Sequence, residues 1–158
     1  MVTQSREWVL LQHRLPREPS APRIALWRAI RRLGALLLAD GLVALPASAR
    51  TIEHLEWLAA GIEEQGGTAS VWVASPTSGT TTARLIEQAR AATDDEYRAV
   101  MRDALAPELT LAERRRLVRR LRAELRRIGS RDYFGAEAGP AARARVDELA
   151  RVGEVVRA

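Results

Sequence analysis

The stretch from Trp8 to Pro46, WVLLQHRLPREPSAPRIALWRAIRRLGALLLADGLVALP, constrains the fold more than any other part of the chain. Trp8-Val9-Leu10-Leu11 is a short apolar run of strand length, placed in a strand from Glu7 to His13. Arg14-Leu15-Pro16-Arg17-Glu18-Pro19-Ser20 follows as a turn. Pro19 and Pro22 bracket Ser20, a helix-cap residue type, and Ile24, Trp27, Ile30 and Leu33 then recur at helical spacing until Gly34. Ala35–Ala39 and Leu42–Leu45 read as two strands joined at Asp40-Gly41, a dipeptide favoured in two-residue hairpin turns.

The next elements continue the alternation. Thr51–Gln65 reads as a helix with Ile52, Leu55, Leu58, Ala59 and Ile62 inward, stopped by Gly66-Gly67. Thr68–Ala74 alternates as a strand. The order βαββαβ predicts an α+β fold with a ferredoxin-like unit over residues 1–75. Past Pro76-Thr77-Ser78-Gly79 the pattern turns helical. Thr80–Ala104 is closed by Pro107, and Thr110 caps a helix to Ile128. A loop around Asp132-Tyr133-Phe134 follows, then a helix from Pro140 bearing Val146, Leu149 and Val156. Residues 76–158 are thus expected to form a three-helix half, packed on the first unit in one compact globule. Trp27, Trp57 and Trp72 are expected in the core.

Composition narrows function by exclusion. Cysteine is absent from the 158 residues, which removes disulfides, thiolate metal sites and thiol redox chemistry together. The two histidines, His13 and His54, are far apart and lack the i,i+4 pairing of a zinc helix. The glycines of Gly61–Thr68 have no lysine after them and fail the phosphate-loop pattern. No Ser-His-acid or paired-carboxylate arrangement stands out. Glu53, Glu56, Glu63 and Glu64 read as the solvent face of the second helix. The expectation is therefore a non-enzyme with no cofactor and no metal. The longest apolar candidate, Leu33–Pro46, is interrupted by Asp40, and the N-terminus is not built as a signal peptide. A cytoplasmic protein without a membrane partner is expected.

Charge points the other way, toward a ligand. The net charge is +5 and every cationic residue is arginine. A GC-rich coding sequence accounts for part of that bias, but not for the clustering. Residues 113–131 hold nine arginines against Glu113 and Glu124, a local charge of +7; residues 14–32 hold six against Glu18. Such blocks are the electrostatic footprint of a surface that meets phosphate or another anion. In the helix 110–128, Leu117, Leu121, Leu125 and Ile128 form one stripe. Arg115, Arg119, Arg122 and Arg126 fall opposite, with Arg116, Arg120 and Arg127 beside them. Glu124 is placed to pair with Arg120 or Arg127, and the others have no intrahelical partner. They either meet nucleic acid or pair with acids such as Asp94, Asp95 and Glu96, or across a dimer.

The run Trp8-Val-Leu-Leu…Arg14-Leu-Pro-Arg-Glu-Pro-Ser20…Arg23…Trp27-Arg28…Asp40-Gly41…Leu45-Pro46 resembles the N-terminal domain of the ChrB family of chromate-resistance regulators. Glu56-Trp57-Leu58, Gly66-Gly67-Thr68-Ala69, Asp95-Glu96-Tyr97 and Arg131-Asp132-Tyr133-Phe134-Gly135 fit the same pattern. The resemblance implies a cytoplasmic, DNA-associated regulator of a chromate efflux operon. Longer members continue into a second domain, so activity housed there is not expected of residues 1–158. The unit is also similar to that of small CRISPR-associated endonucleases and phenylacetate-pathway repressors. The endonucleases end their first strand on an acidic ligand, where this chain has Gln12-His13-Arg14. Metal-dependent cleavage is not expected.

Four expectations about partners follow. Arg115, Arg119, Arg122 and Arg126, together with Arg28, Arg31 and Arg32, are expected on promoter DNA phosphates. An oxyanion such as chromate, a tetrahedral dianion, is expected at the first-helix N-terminus, held by Arg14, Arg17, Ser20 and Arg23; the alternative is that Arg14 and Arg17 pair with Glu18 or Glu7 and simply fix the turn. An exposed edge strand and two-fold operators point to a homodimer. The competing reading is a non-catalytic module that docks an acidic protein partner through the arginine face.

Overall fold

The computed structural model describes residues 7–105 and 108–155. Pro107 and Val156, to which the sequence assigns a helix stop and a core contact, lie outside them. The architecture is α+β. Four strands and two helices alternate first: β1 (Trp8–Arg14), α1 (Ala21–Leu33), β2 (Leu36–Ala39), β3 (Leu42–Pro46), α2 (Ala49–Glu64) and β4 (Thr68–Ala74). Three helices follow, α3 (Gly79–Asp103), α4 (Leu111–Gly129) and α5 (Gly139–Val155). The chain divides into two compact units at residues 86/87, within α3.

In the first unit the strands lie in the order β2-β3-β1-β4, and each neighbouring pair is antiparallel. β1 is therefore central, which is why its apolar run is continuous. Val9 pairs with Leu45 and Val73, Leu11 with Val43 and Val71, and Val9, Leu11, Val43 and Leu45 are all buried. α2 packs against β1 and β4, burying Leu55 and Ile62. It starts earlier than Thr51 because Ser48 is the cap. The Ser48 and Thr51 side chains each accept from the other's backbone N–H, and the buried Thr51 hydroxyl also donates to Pro46 O at 2.6 Å. At the hairpin, only Gly41 has positive φ; its carbonyl accepts from His13 N at 2.7 Å.

Three tryptophans expected in the core are exposed instead: Trp27 by 57%, Trp57 by 82% and Trp72 by 59%. The buried one is Trp8. The helix α1 turns Leu26 inward, with Ile30 and Leu33 half-buried, and leaves Ile24 and Trp27 outside. The reason lies one turn on. Burying Ile24 and Trp27 would draw in Arg28 and Arg31, their i+4 neighbours, at a large desolvation cost. Trp57 shares its side of α2 with Glu53 and Glu64, and the same cost applies. Trp72 lies on the outer strand β4, its indole N–H donating to Ser70 Oγ at 2.8 Å.

The second unit is a helical cluster around Tyr97, Val100 and Ala104 of α3, Val118, Leu121, Leu125 and Ile128 of α4, and Ala142 and Val146 of α5. Val118 is buried in the place expected for Leu117, which is half-buried at the stripe's margin. The loop around Asp132-Tyr133-Phe134 is tied to α3. Arg90 Nε donates to Phe134 O at 3.1 Å, Asp94 accepts from Ala138 N at 2.7 Å, and Arg131 pairs with Glu96. Its residues fasten helices together.

Candidate nucleic-acid interface

The basic surface of the second unit is built on α4, and the helix is set by its start. Thr110 is extended, its hydroxyl accepts from Glu113 N at 3.3 Å, and the Glu113 carboxylate accepts from Thr110 N at 2.9 Å. This reciprocal cap satisfies two groups at the helix end. It also holds the Glu113 carboxyl below its ordinary range, first through the Thr110 hydroxyl and then through the backbone N–H. Such a group stabilises the fold above its unfolded pKa, and the contribution is lost as pH falls through the lower folded value. Glu113→Ala is therefore expected to lower the melting temperature at neutral pH. The gap from wild type should close in acid, below the carboxylate range. Thr110→Ala should cost about 1 kcal/mol.

From that start, Val118, Leu121, Leu125 and Ile128 go inward. Arg115, Arg116, Arg119 and Arg126 are exposed, and among the described residues their side chains make no ion pair or hydrogen bond. Arg115 and Arg126 are eleven positions apart, a span of roughly 16 Å along the axis. The flanks of this row are neutralised. Arg120 pairs with Asp103 at 3.3 Å, Arg122 with Asp147 at 3.1 Å, and Arg127 with Glu124. Of the four α4 residues expected on phosphate, the structure thus leaves Arg115, Arg119 and Arg126 unpaired among the described residues and pairs Arg122 with Asp147 of α5. Arg116 completes the row and is an addition to it. Asp103 and Asp147, not Asp94 or Asp95, are the acids that reach α4 from its neighbours.

In the first unit, Arg28, Arg31 and Arg32 are exposed on α1, and the Arg31 guanidinium lies over the Trp27 ring at 4.8 Å from its centroid. This stacking was not foreseen, although the i,i+4 spacing of Trp27 and Arg31 permits it. Arg14 ends β1, Arg17 lies in the connection with its cis Glu18–Pro19 peptide, and Arg23 is in the first turn of α1. All three are exposed. Ser20 occupies the cap position with helical backbone and makes no side-chain cap bond, and no acid occupies the first turn. Pro22 has no N–H, so the helix start offers fewer donors than an ordinary one.

The profile of the family described as "Protein ChrB, N-terminal" matches residues 23–155. The chain belongs to the ChrB N-terminal family. It is thereby related to chromate-resistance regulators. The matched span takes in α1 from Arg23 onward, the three-helix cluster and the whole arginine row of α4, and begins after the Arg14–Ser20 turn. No curated protein and no solved structure matches the chain. No helix of the described residues is long and apolar enough to cross a membrane.

Proposed function

We propose that this ChrB-family chain is a DNA-binding regulator that acts on the promoter of a chromate efflux operon, with α4 laid on the phosphate backbone. The observation that carries the reading is the row Arg115, Arg116, Arg119 and Arg126: four exposed, unpaired guanidinium groups on one helix face. A face held only for solubility would mix signs and pair them at i,i+4. Here the acids are spent on Arg120, Arg122 and Arg127 at the edges. Guanidinium forks bind phosphate oxygens bidentately, and such contacts give affinity and register without reading bases. Arg28, Arg31 and Arg32 of α1 add a second phosphate-binding patch, in which Trp27 holds Arg31 by its stacking contact.

Each phosphate neutralised contributes about 0.9 to the slope of log K against log salt on duplex DNA. Arg115→Ala/Arg119→Ala/Arg126→Ala is therefore expected to lower the magnitude of that slope by about 2.7 in a mobility-shift titration. Unchanged affinity and slope would remove the reading. A promoter fragment that competes no better than bulk DNA would favour the docking of an acidic protein partner instead.

Oxyanion sensing belongs to the same reading and is assigned to Arg14, Arg17, Ser20 and Arg23. Their exposure and the lack of a side-chain cap at Ser20 support it. Calorimetric titration with chromate and with sulfate tests it. Heat with chromate that is lost in Arg17→Ala and Arg23→Ala is the expected result; no heat from either anion excludes the site.

A further inference from the structure

We propose that the chain self-associates through the outer edge of β4, two copies pairing these strands antiparallel about a two-fold axis into one continuous sheet. β4 is the last strand on its side of the sheet. The backbone groups along its outer side have no strand to bond with among the described residues. Edge strands are ordinarily guarded by shortness, a bulge, a charge or a proline. The opposite edge is guarded in this way, since β2 has only four residues and a register shift between Leu37 and Ala39. β4 has none of these devices. Its seven residues, TASVWVA, are uncharged and pair with β1 without a shift. Trp72 and Val73 are exposed by 59% and 51%, and alternation puts them on opposite faces of the sheet.

The strand's own sequence selects a second copy as the occupant. The chain carries +5, and apposing the arginine faces of two copies would set guanidinium against guanidinium. β4 itself is uncharged, so pairing two copies of the strand sets no like charges directly opposite each other. The sequence is also complementary to itself. With Val71 on the axis, Ser70 faces Trp72 of the second copy and Ala69 faces its Val73, small against large in both pairs. The indole is held in place beforehand by Ser70 Oγ at 2.8 Å, which itself donates to Gln12 Oε1 at 3.2 Å, so little side-chain freedom is lost on docking. This inference does not rest on DNA binding.

Sedimentation equilibrium of the full chain at about 100 µM should give a dimer mass, and Val73→Lys and Trp72→Lys should each raise the dissociation constant at least about tenfold. Both positions are exposed, and an unchanged circular dichroism spectrum establishes that the variants fold. Because the chain has no cysteine, single cysteines can be placed at Ser70, Val71 and Trp72. Under oxidation the one on the axis should cross-link, since paired strands bring that Cα to its symmetry mate within disulfide range. A monomer mass for the wild type, a dimer indifferent to both lysines, or the absence of cross-linking at all three positions would overturn the proposal.

Discussion

Tyr97→Ala is expected to destabilise the helical unit by about 3–5 kcal/mol, as truncation of a buried aromatic ring does elsewhere. Tyr97 is fully buried at the centre of the cluster that joins α3, α4 and α5. Its ring also sets the approach of α5, because a Cβ added at Gly139 would stand 3.2 Å from it. Small domains have only about 5–15 kcal/mol in total, so a large part of the stability would go. The phenol is anchored as well: it donates to Asp132 Oδ2 at 3.3 Å and accepts from Arg143 Nη2 at 3.3 Å. Tyr97→Phe keeps the ring and should cost about 1 kcal/mol. Burial, and next the Asp132 charge, push the phenol's pKa above its ordinary value. The stability linked to that shift is complete below the unfolded pKa and is lost as pH rises through the folded one. Thermal melts above the usual tyrosine range should therefore show a decline that Tyr97→Phe reduces.

Two glycine substitutions near the end of α2 should move stability in opposite directions. A Cβ at Gly67 would lie 2.5 Å from the carbonyl oxygen of Arg14, 2.7 Å from Ile62 Cγ2 and 2.9 Å from Leu15 Cδ2. The first of these is backbone of the central strand and cannot rotate away. Gly67→Ala is expected to cost about 3 kcal/mol, the upper part of the range for overpacking. Gly61 lies inside α2 with nothing within 4 Å of the added atom. Gly61→Ala should instead stabilise by about 0.5–1 kcal/mol, since the unfolded chain loses freedom and the helix gains a better former. Denaturant titrations of the two variants give the comparison directly.

Local signals in the chain foretold much of this fold. Thr110 and Glu113 cap α4 where a Thr before an apolar period should, Gly34 ends α1 in the left-handed region, and the apolar run of β1 is that of a central strand. What local patterning cannot supply is the choice between equivalent faces. α1 carries apolar residues around most of its circumference, so two stripes compete, and only tertiary burial of Leu26 against the desolvation of Arg28 and Arg31 decides between them. The acids that take Arg120 and Arg122 are 17 and 25 residues away, beyond any helical spacing rule. The arginine row itself was legible because it depends on α4 alone. Its narrowing, which removes Arg122 and adds Arg116, depends on the neighbours.

The division at residues 86/87 also partitions the chromophores. All four tryptophans, Trp8, Trp27, Trp57 and Trp72, fall in the first unit; both tyrosines, Tyr97 and Tyr133, fall in the second. Indole emission excited at the red edge reports on the sheet unit alone, while far-ultraviolet ellipticity reports on the helices of both units. One unmodified chain thus carries one optical channel for the sheet unit beside one for its whole helical content. Coincident transitions in both would mean that the units unfold as a single cooperative body; separated midpoints would give each unit its own stability without cutting the chain.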